Sequence, residues 1–81
     1  MDAWIVYILE CKDKTLYTGI TNNLERRVQQ HESGQGAKYT KGRGPFRIVY
    51  TEDCEDKSLA LRREHEIKQL SRGDKLMLVG L

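Results

Sequence analysis

The sequence has 81 residues, with 14 Lys and Arg against 12 Asp and Glu, a net charge of +2, 38% hydrophobic and 32% charged residues, and two cysteines. Such a chain reads as one domain over residues 1–81, near the lower size limit for a self-sufficient core, and no apolar run is long enough to span a bilayer. The N-terminal "WIVYIL" lacks the basic start and small-residue cleavage site of a signal peptide, so the expected location is cytoplasmic, with no membrane partner.

Residues 4–9, "WIVYIL", are rich in β-branched and aromatic types and apolar at both alternating sets of positions, which predicts a central strand covered on both faces. "CKDK" is then the turn and "TLYTGI" the returning strand. Asn22 or Asn23 caps a helix that runs to about Ser33, where "SGQG" stops it. The glycine-rich "GQGAKYTKGRGP" reads as a loop and "FRIVYTE" as a third strand. Ser58 is the expected cap of a second helix to about Ser71, ended by Gly73, and "DKLMLVGL" forms a short third helix. The fold class is therefore α+β, in the order β-β-α-β-α-α: a small sandwich with a three-stranded antiparallel sheet flanked by helices.

Charge is unevenly spread. From Ser33 to Thr51 stand Lys38, Lys41, Arg43 and Arg47 with no acid, and "EDCED" follows at once. The cationic stretch suits phosphate contact; a solvated loop carrying chance charge is the plainer reading. Cys11 and Cys54, with His31 and His65, lack the short ligand spacing of a zinc finger, and both cysteines read as free thiols.

Several polar residues fall where a core would not place them. If the hairpin turn centres near Lys12, Tyr7 lies directly opposite Tyr17 and the phenols emerge side by side; each taken alone reads first as a strand aromatic packing the core. At about 100° per residue, Leu24, Val28 and His31 form the sheet-facing stripe of the first helix. Arg27 sits at the edge of that stripe while Arg26 points to solvent; the alternative for Arg27 is a stem lying over apolar surface with its head in water. On the second helix Leu59, Ala60, Leu61, Ile67 and Leu70 define the buried arc, with Glu64 inside it and Glu66 outside. A carboxylate there must be paired, to Arg27 or another base, or must bind a cation.

These residues resemble the GIY-YIG nuclease family over nearly the whole chain. "VYI" (6–8) stands at the GIY tripeptide and "YTG" (17–19) at YIG, while Arg27 in "NLERR" and Glu64 in "ALRREHEIK" match the helical arginine and the acid. The loop "AKYTKGRGP" is similar to that of small bacterial stand-alone members. Val6 replaces the first motif's glycine, and the asparagine that many members carry near the C-terminus has no counterpart after Asn23.

The resemblance implies a metal-dependent DNA endonuclease that hydrolyses phosphodiesters in DNA repair or recombination, selective for branched, flapped or single-stranded DNA. Glu64 would hold one divalent cation, Mg²⁺ or Mn²⁺. Tyr7 would be the general base, and Tyr17 would bind the same water or the phosphate. Arg27 would clamp a phosphate oxygen, and His31 would contact phosphate or assist proton transfer. On sequence grounds the water is open to either tyrosine. Lys38, Lys41 and Arg43 would meet phosphates and Tyr39 would stack on a base or ribose; a loop aromatic folded over the sheet edge is the other reading of Tyr39. A tyrosine base, with a pKa near 10, implies activity that rises with pH above neutrality. Two further readings stand beside this one: a nucleic-acid-binding module that cuts weakly or not at all and acts with a protein partner, and a protein-interaction adaptor using the acidic "EDCED".

Overall fold

The computed structural model describes residues 3–80. Strands β1 (Trp4–Glu10), β2 (Leu16–Thr21) and β3 (Arg47–Cys54) form an antiparallel sheet in the order β2-β1-β3. Helices α1 (Leu24–Glu32), α2 (Lys57–Lys68) and α3 (Arg72–Val79) complete the expected β-β-α-β-α-α order. A 3₁₀ turn at Lys38–Thr40 interrupts what reads in the sequence as plain loop.

Strand β1 is central because both its faces are apolar, and Val6 to Leu9 are all fully buried. Side chains alternate along it. Val6 and Ile8 pack with Ala60 and Ile67 of α2 in the core on one face, where Leu78 and Val79 of α3 also join. Tyr7 turns to the opposite face, toward His31 of α1. A bulge between Ile8 and Leu9 in the β1–β3 register absorbs one extra β3 residue.

The hairpin register differs from the expected one. Tyr7 pairs with Gly19 and Leu9 with Tyr17, so the turn centres on Asp13 rather than Lys12. The shift of partner is two residues, which preserves side-chain parity, and the two phenols stay on one face as diagonal neighbours.

Helix boundaries follow their caps. Asn23 has an extended backbone and its side chain accepts from the Arg26 N–H at 3.0 Å, starting α1 as expected. Helix α2 begins earlier than anticipated: Asp56, not Ser58, is the cap, accepting from the Leu59 N–H at 2.9 Å. It also ends sooner, with Gln69 as its C-cap, and Ser71 starts α3 by accepting from the Asp74 N–H at 3.1 Å. Gly73 therefore lies inside α3 instead of terminating α2.

The buried arc of α2 is narrower than the leucines suggest. Leu59 and Leu61 are 41% and 46% exposed, whereas Ala60 and Ile67 are sealed. With Leu59, Ala60 and Leu61 consecutive, the helix packs through the central, smallest residue, and the leucines flank the contact.

Candidate active site

On the α1 face of the sheet, three rings gather around His31. Its imidazole centroid lies 5.9 Å from Tyr7, 5.2 Å from Tyr17 and 5.9 Å from Phe46, all edge-on, and the two tyrosine rings are 6.4 Å apart. The Tyr7 hydroxyl lies 2.8 Å from His31 Nε2, and His31 Nδ1 lies 2.7 Å from Thr40 Oγ1.

The protons in this chain can be placed from its far end. Thr40 Oγ1 donates its only proton to the Ala37 carbonyl at 2.9 Å, so toward His31 it accepts. Nδ1 therefore carries the imidazole proton. In the neutral ring Nε2 is then an acceptor, and the Tyr7 O–H donates to it. Burial, and secondarily the Arg27 charge, push the His31 pKa down from 6.5 to about 4, which keeps the ring neutral near pH 7. Tyr7 is held above its ordinary value of 10.0, chiefly by burial and against the hydrogen-bonding pull of Arg27.

Glycine makes the close approach possible. Across from Tyr7, a Cβ on Gly19 would sit 2.6 Å from the Tyr7 Oη and 3.1 Å from the Tyr17 ring. A Cβ on Gly36 would run into the His31 ring. A glycine inside a strand is a signal of such an approach and could have been read from "YTG". Gly36, Thr40 and Phe46 carry no local signal, because their partner His31 comes from a different element.

The expected site residues are placed as follows. Tyr7, Tyr17 and His31 converge, and the half-buried Arg27 lies beside both phenols while donating to Gln30 Oε1 at 3.0 Å. His31, only 1% exposed and with both nitrogens engaged, has neither free for a phosphate, so a direct phosphate contact by this residue is not what the structure shows. Its Nε2 instead accepts from the Tyr7 hydroxyl.

Glu64 is half-buried on α2, and its partner is Lys68, one turn on, at 3.3 Å, rather than Arg27. Glu66 is mostly exposed and reaches Arg63 at 3.6 Å. Lys38, Tyr39 and Lys41 are exposed. Tyr39 stacks on Tyr17, with centroids 5.9 Å apart and planes 23° apart, and the Arg43 guanidinium caps its other side at 4.6 Å. The loop is less purely cationic in space than in sequence, since Arg43 is paired with Asp13 and Arg47 with Glu10.

Cys11 and Cys54 are free thiols. Among the described residues no three His, Cys, Asp or Glu side chains converge as a metal cage. A lone carboxylate still fits a hard divalent ion that completes its shell with water and phosphate oxygens. Lys68, which neutralises Glu64, is half-exposed.

Comparison with known proteins gives the family and the fold. The model of the GIY-YIG catalytic domain matches residues 3–76. A UPF0213 protein of Natronomonas pharaonis is 60% identical over 75 residues, covering 93% of this chain and 88% of that protein. One from Oceanobacillus iheyensis is 58% identical over 74 residues, 91% of this chain and 86% of the relative. The solution structure of the UPF0213 protein BH0048 from Bacillus halodurans superposes with a TM-score of 0.63 at 54% identity, over 96% of this chain and 83% of the other. Among the described residues no helix is long and apolar enough to cross a membrane. The small stand-alone proteins it resembles, the family model spanning most of its length and the shared fold together show that this chain belongs to the GIY-YIG catalytic-domain family.

Proposed function

We propose that the protein is a metal-dependent endonuclease that hydrolyses DNA phosphodiesters, with a preference for branched, flapped or single-stranded substrates. The observation that carries this reading is the convergence of Tyr7, Tyr17 and Arg27 on one face of the hairpin, with Tyr7 oriented by a neutral His31. An inert core has no use for two adjacent phenols beside a guanidinium.

Hydrolysis forms a water–phosphorus bond, breaks a phosphorus–oxygen bond and spreads negative charge over the phosphate oxygens. Arg27 clamps a non-bridging oxygen. Tyr7, as phenolate, takes the proton of the attacking water. Tyr17, half-exposed beside it, holds the same water or the phosphate. His31, with its pKa near 4, is too weak a base to keep the Tyr7 proton, so its part is to fix the ring. Glu64 would hold the divalent cation, which when bound neutralises phosphate charge and assists the leaving oxygen. Lys38, Lys41 and Arg43 bind neighbouring phosphates. The chain acts in the cytoplasm, as one domain.

The test is cleavage of single-stranded, duplex, flapped and branched DNA with Mg²⁺ or Mn²⁺, for wild type and for Tyr7→Phe, Arg27→Ala and Glu64→Ala. We expect metal-dependent cutting, with each variant at least about 100-fold slower while remaining folded. No cutting by wild type on any substrate, with salt-sensitive DNA binding retained, would overturn the reading in favour of a binding module that acts with a partner protein.

A further inference from the structure

A cation withdrawn from water is ordinarily matched to a carboxylate. The half-buried Arg27 makes no ion pair among the described residues, and Glu64, the acid of the site, is taken by Lys68. Besides the two phenols, the partner of the guanidinium is a neutral amide: Arg27 Nη1 donates to Gln30 Oε1 at 3.0 Å. A guanidinium has donors only, so the amide must turn its oxygen, not its nitrogen, toward it.

The helix sets up this contact. At about 100° per residue, Gln30 and His31 lie one turn beyond Arg27 on the same side of α1, and Gln29 lies on the far side. Gln30 is accordingly half-buried and Gln29 exposed. The consecutive residues Gln30 and His31 hold one group each: His31 takes the Tyr7 hydroxyl and Gln30 takes Arg27. The backbone of Gln30 is fixed as well, because its carbonyl accepts from the Ser33 hydroxyl at 3.0 Å and from the Gln35 N–H at 2.8 Å. Its side chain therefore reaches Arg27 from an anchored point, and a substitution there leaves the backbone contacts in place. An acid at this position would hold the guanidinium equally well but would cancel its charge.

We infer that Gln30 is a positioning residue for Arg27: its neutral amide aims the guanidinium at the phosphate and leaves the positive charge uncompensated for it. The assignment rests on the nuclease reading for the phosphate that Arg27 meets; the hold of Gln30 on Arg27 is independent of cleavage. An unrestrained arginine samples many rotamers, and a misplacement of about 1 Å at a reacting centre costs up to about 100-fold in rate.

The experiment compares wild type with Gln30→Ala, Gln30→Glu and Gln29→Ala. Affinity for a labelled deoxythymidylate decamer is read by anisotropy in EDTA as a function of salt. Cleavage is read as the single-turnover rate on flapped DNA with Mg²⁺ or Mn²⁺. NMR of the Arg27 guanidinium reports the hydrogen bond without substrate, since the bond slows rotation of the group. Gln30→Ala keeps the charge and loses the aim: cleavage should fall at least about tenfold, affinity should change less than about twofold, and rotation should quicken. Gln30→Glu keeps the hold and loses the charge: rotation should stay slow, and the slope of log affinity against log salt should become shallower by up to about 0.7, the share of one phosphate contact on a single strand. Gln29→Ala should match wild type in all three.

Equal behaviour of Gln30→Ala and wild type, an unchanged salt slope in Gln30→Glu, or the same losses in Gln29→Ala would overturn the assignment. The two readings fail separately. Cutting by wild type that Gln30→Ala leaves intact would remove the role of Gln30 alone. No cutting by wild type, with Arg27 freed in Gln30→Ala and the salt slope reduced in Gln30→Glu, would remove the nuclease alone.

Discussion

Acid puts a charge on His31 where the fold has nowhere to accommodate it. The ring is 1% exposed, its Nδ1–H is given to Thr40, its Nε2 accepts from Tyr7, and the nearby charge of Arg27 repels a second cation. Its pKa falls from 6.5 to about 4 on folding. Because the folded value is the lower one, the unfolded chain takes up the proton first. The stability from keeping His31 neutral is thus complete above pH 6.5 and is lost as pH falls through about 4. That interval of about 2.5 pH units, at 1.36 kcal/mol each, amounts to roughly 3 kcal/mol, a large share of the stability of so small a chain.

Carboxylates such as Asp13, whose pKa is lowered mainly by hydrogen bonds from Thr15, also weaken the fold in acid, so the effect must be isolated with a His31→Gln control. Urea unfolding of both proteins between about pH 7.5 and pH 4 should show the wild-type advantage shrinking by roughly 3 kcal/mol. NMR of the imidazole should place the proton on Nδ1 and the titration midpoint near 4. Parallel stability curves, or a midpoint at the free-histidine value, would refute both the neutral ring and the assignment of its tautomer.

Three other outcomes follow from the same geometry. Thr40→Val removes the acceptor of the buried Nδ1–H and should cost about 1–3 kcal/mol, the ring moving to the tautomer whose Nε2–H donates to the Tyr7 oxygen; Thr40→Ser should restore both the stability and the Nδ1–H tautomer, as read by urea melts and imidazole NMR. Gly19→Ala forces the Tyr7 hydroxyl off its 2.8 Å contact with His31. Its stability loss should be about 1–3 kcal/mol, and cleavage should fall beyond what unfolding explains; unchanged activity in a folded protein would contradict the packing. Finally, log kcat should rise with pH from about 6 to past 9, because burial holds the Tyr7 phenol above its usual range and only its ionised form is the base. A flat profile over that interval would dismiss a tyrosine base.

Local order was largely legible in the sequence. The apolar β1 segment, the Asn23 cap and the placement of Arg27 rather than Arg26 toward the sheet all follow from patterns within one element. Even the shared face of Tyr7 and Tyr17 survives a wrong register, because their separation of ten residues is even and the true pairing differs by two. Local chemistry was ambiguous where two residues qualify: Asp56 and Ser58 are both good caps, and only the extended backbone at Asp56 selects between them. Three consecutive apolar residues at Leu59–Leu61 likewise leave the centre of an arc open.

What required the tertiary structure is everything set by contacts between distant elements. The Thr40 hydroxyl beside His31, nine residues away, determines which nitrogen of the ring carries the proton, and thereby which way the Tyr7 O–H points. Asp13 reaches across thirty residues to Arg43, and Lys68, not Arg27, neutralises Glu64. Periodicity reports which side of an element is buried; it does not report what the other side of the contact will be. Sequence alone therefore determined the residues available for chemistry and the faces that bear them. Packing decided their protonation and their partners, because those depend on distances that form only when the chain closes on itself.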